Sequence, residues 1–295
     1  MSTFVVVLVL ATATLHALWN FATRKSEGNI VAVWLSLAFT GLVTLPAAIA
    51  TAIQEYITAT ALLYILATGV VHAAYFTLLA KAYRGGDISL VYPIARGTGV
   101  AGTAVVILFL AIEGVQPQAG GGIAAVCAGI LLIGLGQMSR RNCTVSKTSA
   151  FGLALLVGVT IIGYNVVDKL AVSNGPAGAA RTGGLHPLVY ICAMFLGAAL
   201  FMTPYVVMSA RGRIADCWRT QKKYIAVIGP AALCTYLPIL FAYRWEKATS
   251  IVAFREFSVV IGSVLGFLFL RERLTAPKAA GILLVATGLV LIKSA

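Results

Sequence analysis

Ala82-Tyr83-Arg84 recurs as Ala242-Tyr243-Arg244, and the chain around the first copy recurs around the second. At the same shift of about 160 residues Phe76 matches Tyr236, Gly102 matches Gly262, Phe109 matches Phe269, Pro117 matches Pro277 and Gly121 matches Gly281. Both copies consist almost wholly of apolar segments of membrane length, so the repeat is one of membrane helices. Each copy holds an odd number of spans, so the second must enter the bilayer from the opposite face, as in many secondary transporters.

Composition fixes the solvent. The 295 residues are 60% hydrophobic and 11% charged, with a mean hydropathy of +0.95. Soluble packing cannot hide that much apolar surface, so the partner is a lipid bilayer. A net charge of +13 invites a nucleic-acid reading, but most Lys and Arg sit in short stretches between apolar runs, with no basic stripe interleaved with aromatics. Such charges set membrane topology instead. Cys127, Cys143, Cys192, Cys217 and Cys234 show neither C-x-x-C spacing nor a His at metal-ligand spacing, so no metal, cofactor or disulfide framework is expected. The apolar run from Phe4 lacks a basic leader and continues to Thr23, which reads as a first retained helix and not a signal peptide.

A hydrocarbon core of ~30 Å needs ~20 apolar residues, and ten segments qualify: 3–23, 30–53, 60–82, 88–110, 118–137, 149–170, 185–208, 223–243, 249–270 and 277–293. Five plus five fits the repeat, with one copy over 1–140 and the other over 149–295. Ala171 to Gly184 reads as a flexible loop and Ser209 to Lys222 as a basic one. Glycines 97, 99, 102, 262 and 266 suit close helix contact, since lipid supplies no hydrophobic drive between helices. The connections after the odd-numbered spans hold most of the basic residues, Arg140, Arg141, Arg211, Arg213, Lys222 and Lys223 among them. By the positive-inside rule that side is cytoplasmic and both termini lie outside.

Chemistry-bearing residues inside the spans are few. Arg96 and Arg255 each lie several residues from the nearest span edge, where an arginine costs about 2.5–3.5 kcal/mol on insertion scales. Arg96 falls opposite Glu256 in the aligned copies. Two arginines against one glutamate either fix the bundle as an ion pair or leave a surplus positive charge for an anionic group. Pro93 is expected to break its helix near the midplane. His16, Trp19 and Asn20 share one face of the first span, and His72, Tyr75 and Phe76 share one face of the third, which suggests a common polar lining able to exchange protons. Asn165 corresponds to Asn20 when the first helices of the two copies are aligned, with Tyr164 against Trp19. Asp168, followed by Lys169 near a span end, reads as an interfacial charge, as do Glu113 and Glu272. Asp87, Asp168 and Asp216 are too scattered to hold Mg²⁺, and no phosphate loop or zinc motif occurs, so the chain is not read as an enzyme.

His16-Ala-Leu-Trp19-Asn20, Leu90-Val-Tyr92-Pro93-Ile-Ala-Arg96-Gly97, and Arg255-Glu256 followed by Gly262 and Arg271-Glu272-Arg273-Leu274-Thr275 together resemble an EamA-type member of the drug/metabolite transporter superfamily. The resemblance covers nearly the whole chain. It implies an all-α integral membrane protein of ten transmembrane helices, arranged as two inverted five-helix repeats around a central cavity. It also implies alternating access, facilitated or proton-coupled, and both termini in the cytoplasm, opposite to the loop charges.

The expected function is therefore carriage of a small polar metabolite with an anionic group, such as an amino acid, organic acid or phosphonate, across the inner membrane by a multi-pass monomer or homodimer. Arg96 and Arg255 are the expected anion ligands and Glu256 an ion partner or proton carrier. His16, Trp19, Asn20, His72, Tyr75, Tyr92, Asn165 and Tyr236 are the expected lining. The alternatives are an exporter of hydrophobic cations acting through Glu256 and aromatic rings, and a non-transporting membrane component.

Overall fold

The computed structural model describes residues 2–25, 29–55, 57–85, 88–138, 147–173, 183–261 and 275–295. Within these, the helices are α1 (Thr3–Lys25), α2 (Ile30–Ala52), α3 (Ala59–Gly85), α4 (Ile88–Phe109), α5 (Pro117–Met138), α6 (Lys147–Val172) and α7 (Pro187–Ala210). A 3-10 turn, Arg211–Arg213, leads into the short α8 (Ile214–Thr220), followed by α9 (Lys222–Trp245), α10 (Ala248–Arg255), helical residues 257–261 and α11 (Ala276–Ser294). Among the described residues, seven segments are long and apolar enough to cross a membrane: Ile30–Ala52, Ala59–Ala82, Pro117–Gly134, Phe151–Val172, Pro187–Thr220, Lys222–Trp245 and Ala276–Ser294. Thr3–Ala13 and Pro93–Phe109 are shorter apolar helices. Gly262, Gly266, Phe269 and the Arg271-Glu272-Arg273-Leu274 stretch lie outside the described residues, as does most of the Ala171–Gly184 loop.

Side-chain exposure agrees with a lipid solvent. Phe39, Leu42, Val43 and Ile49 of α2, Leu62, Leu63 and Leu66 of α3, and Leu283 and Val290 of α11 all point outward. Rows of this kind on a water-soluble monomer would be aggregation sites. Helix starts are secured locally. The Asn29 side chain accepts from Val31 N at 3.0 Å, and His186, followed by Pro187 at the first helical position, accepts from Leu188 N at 3.2 Å. The start of α10 has no cap of its own and borrows Glu113, whose carboxylate accepts from Ala248 N at 2.7 Å and from Thr249 N at 3.4 Å. Glu113 is thus a capping residue as well as an end-of-span charge.

The chain forms two compact units. The first comprises Met1–Ala17, Lys81–Val166 and Glu246–Ala295, and the second Leu18–Ala80 and Val167–Trp245. Neither coincides with a sequence copy. Unit 1 takes α4 and α5 from the first copy and α10 and α11 from the second, whereas unit 2 takes α2 and α3 from the first and α7 and α9 from the second.

Within unit 1, α11 packs along α5, and α5 along α4. A Cβ added at Gly129 would lie 2.6 Å from the Gly281 carbonyl oxygen, and one at Gly281 equally 2.6 Å from the Gly129 oxygen. Gly122 and Gly288 repeat this reciprocity at 2.6 and 2.5 Å. Contact moves forward along α5 as it moves backward along α11, so these matching helices of the two copies run antiparallel. Their backbones touch because neither presents a side chain there. Within unit 2 the same holds for α2 and α7: Trp34 Nε1 donates to Ala199 O at 2.9 Å, and Gly41 O accepts from Cys192 Sγ at 3.4 Å.

Two features of the backbone depart from expectation. Pro93 does not break α4, which runs through it. It sits in the second turn, where a missing N–H leaves little of the helix to disrupt, and its ring lies against Gly134 of α5. The interruption falls instead at Glu256, whose N–H bonds back only three residues to Ala253 O at 3.1 Å before helical residues resume. At the end of α4, Ala111 takes a positive φ of 51° to close the helix, a post better suited to glycine.

Candidate functional site

Among the described residues, each unit holds a buried cluster of ionisable side chains. In unit 1, Arg96 of α4 places Nη1 3.0 Å from Glu256 Oε1, and both residues are buried. Nη2 of the same guanidinium contacts His16 Nε2 of α1. A guanidinium can only donate, so His16 accepts there and carries its proton on Nδ1. Arg255, also buried, donates from Nη1 to Asn165 Oδ1 of α6 at 3.4 Å, and Asn165 Nδ2 donates to Thr103 Oγ1 of α4 at 3.2 Å. Glu256 Oε2 is buried with no hydrogen-bond partner among the described residues. Because α10 stops at Arg255, one turn delivers Arg255 and Glu256 in succession, one toward α6 and the other toward α4. Among the described residues of this cluster, two guanidinium groups stand with one carboxylate.

In unit 2 the centre is Asp168 of α6, wholly buried. Its Oδ1 accepts from Tyr190 OH of α7 at 2.6 Å and from Thr68 Oγ1 of α3 at 3.2 Å. Its Oδ2 accepts from Tyr236 OH of α9 and lies 4.0 Å from His72 Nε2 of α3. The His72 ring stands edge-on to Tyr236, with centroids 6.2 Å apart, and Phe76 and Tyr75 continue the aromatic stack along α3.

Residues 153–294 match the EamA-like transporter family. Over that stretch the chain is similar to this family. The fold is similar, with a TM-score of 0.68, to a solved structure described only as a crystal structure of a protein; the match covers 98% of this chain and 95% of the other at 12% identity. At that identity the likeness is one of fold alone. No curated protein matches the chain.

The residues singled out from the sequence of this EamA-like protein divide between the clusters. His16, Arg96, Asn165, Arg255 and Glu256 meet in unit 1, whereas His72 and Tyr236 meet in unit 2 with Tyr75 buried nearby. The faces of the first and third spans thus supply different units and not a single described cluster. The side chains of Trp19, Asn20 and Tyr92 lie outside the described residues. Asp168 is the main correction. Its place near the end of α6, beside Lys169, suggested an interfacial charge, yet three helices bury it and hand it hydroxyl donors, while Lys169 turns to the Tyr243 carbonyl oxygen at 2.7 Å. Thr68 and Tyr190 went unremarked in the sequence. The available signal was Thr68 one turn before His72.

Proposed function

We propose that this EamA-like protein is a secondary transporter carrying a small polar metabolite with an anionic group, an amino acid, organic acid or phosphonate, across the inner membrane by facilitated or proton-coupled alternating access. One observation carries the reading: Arg96, Arg255 and Glu256 are buried together in a membrane helix bundle, with His16 and Asn165 bonded to the two guanidinium groups. Burying arginine at that depth costs several kcal/mol, by the order of the insertion and desolvation scales, so buried arginines mark a polar pathway and not a lipid-facing surface. The antiparallel pairing of α5 with α11 and of α2 with α7 supports the inverted repeat on which alternating access rests.

The proposed substrate ligands are Arg255, which donates to Asn165 at 3.4 Å, and Arg96, which Glu256 and His16 hold in orientation. The same pairing weighs against export of hydrophobic cations through Glu256, because the Arg96 guanidinium, paired with Oε1, would repel such a ligand. A thermal-shift panel of amino, hydroxy and phosphono acids tests the proposal on purified protein. A true ligand at about a hundredfold over its Kd stabilises the native state by ~2.7 kcal/mol, and Arg255→Gln should erase that shift while the protein still folds. A panel in which quaternary ammonium compounds raise the Tm and no acid does would reverse the assignment.

A further inference from the structure

Asp168 is left over by this reading. It is a carboxyl group sealed inside unit 2, and among the described residues no lysine or arginine lies within ion-pair distance of it. Burial of a lone carboxylate is costly unless it is hydrogen-bonded or can be neutralised. Both remedies are present. Tyr190, Tyr236 and Thr68 donate three hydroxyl bonds to the two oxygens, and the nearest basic group is His72, with Nε2 4.0 Å from Oδ2.

The histidine's own bonds decide which nitrogen titrates. Thr68 spends its single hydroxyl proton on Asp168, so its Oγ1 can only accept from His72 Nδ1, 3.0 Å away. The Thr68 carbonyl oxygen, 3.1 Å from the same nitrogen, accepts as well. Nδ1 therefore carries a proton in either state, and Nε2, the nitrogen facing Asp168, gains or loses the other. Around the pair stand Tyr190 from α7, Tyr236 and Tyr243 from α9, and Lys169 on α6, whose ammonium is engaged by the Tyr243 carbonyl.

We propose that Asp168 and His72 form the proton-binding site that couples this transporter to the pH gradient, a role that rests on the transport reading above. The pair holds one proton beyond the His72 Nδ1–H when formally neutral, shared between Oδ2 and Nε2, and a second when formally cationic. Uptake and release move only a proton, with no other bond made or broken. A proton is also the cation best suited to oxygens that already accept hydroxyl hydrogens, since an alkali ion would need those oxygens' lone pairs and room for further ligands. Because α3, α6, α7 and α9 each supply a member of the cluster, the charge on the pair changes the cost of keeping the four helices together, and this is the route by which protonation can bias a conformation.

Infrared difference spectra of purified protein between acidic and alkaline pH test the site without any substrate. The wild type should show a protonated-carboxyl band that Asp168→Asn removes and whose midpoint His72→Gln displaces; a band unchanged in Asp168→Asn overturns the proposal. Tyr236→Phe keeps the carboxyl and removes one donor, so it should move the midpoint in a fully folded protein. In proteoliposomes, with a labelled mixture of amino acids and dicarboxylates as the probe, Asp168→Asn should flatten the pH profile of exchange and cut pH-gradient-driven accumulation by about ten- to a hundredfold, the range of ordinary coupling free energies. Accumulation driven by sodium and not by pH overturns the proposal, and so does an Asp168→Asn protein that no longer shows the thermal shift produced by the probe compounds at constant pH, because Asp168 would then be a substrate ligand. If the probe is neither bound nor exchanged by wild type, the anion-carrier reading fails on its own, and the infrared result still decides whether Asp168 is the protonating group.

Discussion

Arg96 and Glu256 each sit where a lone charge would be intolerable, and each is the other's remedy. Removing one partner of a buried pair typically costs about 3–5 kcal/mol, whereas replacing both with well-packed apolar groups costs far less. Arg96→Met and Glu256→Leu should therefore each lower stability sharply in denaturant titrations in detergent, and the double variant should recover much of the loss. This contact was legible in the sequence. The two residues fall at equivalent positions when the two halves of the sequence are aligned, 160 residues apart. Asp168 was not legible, because its neighbours in sequence are Val167 and Lys169, while the groups that define it, Thr68, Tyr190 and Tyr236, arrive from three other helices. Burial imposed by distant elements leaves no local trace.

Helix-level packing rests on glycine at α5 and α11. With a Cβ at position 129 only 2.6 Å from a backbone oxygen of α11, Gly129→Ala must push the two helices apart, and a lowered Tm of the purified protein should report it. Substitution at Gly120, which meets nothing within 4 Å, should be nearly silent in the same assay. Ala111 predicts the opposite sign. Its positive φ makes Ala111→Gly a relief of about 0.5–1 kcal/mol, visible as a raised Tm. The sequence showed that most of these helices exist, since length and apolar content decide that. It misplaced the interruption, because proline suggested a break at Pro93, whereas the turn at Glu256 follows from the cluster that its carboxylate joins.

At the scale of the molecule, the repeat in the sequence and the compact units in space are different partitions. Cutting the chain between Asn142 and Cys143 separates the copies but leaves neither piece with a whole unit. Each fragment expressed alone should be degraded, and co-expression should restore a protein that co-purifies and gives a single unfolding transition. Orientation is open to direct measurement as well: the exposed basic turn at Arg211–Arg213, on the charge-rich side, should sit in the cytoplasm, and a cysteine placed at Gly212 in a cysteine-free background should react with an impermeant maleimide only in inside-out vesicles. The interleaving also sets a clock on biosynthesis. The glycine face of α5 leaves the ribosome roughly 150 residues ahead of that of α11, and translation at ~5–20 residues per second means a wait of roughly 8–30 s. Throughout that interval the nascent chain carries an unmatched groove in the membrane, which makes it a client for whatever insertion machinery shelters incomplete helix bundles.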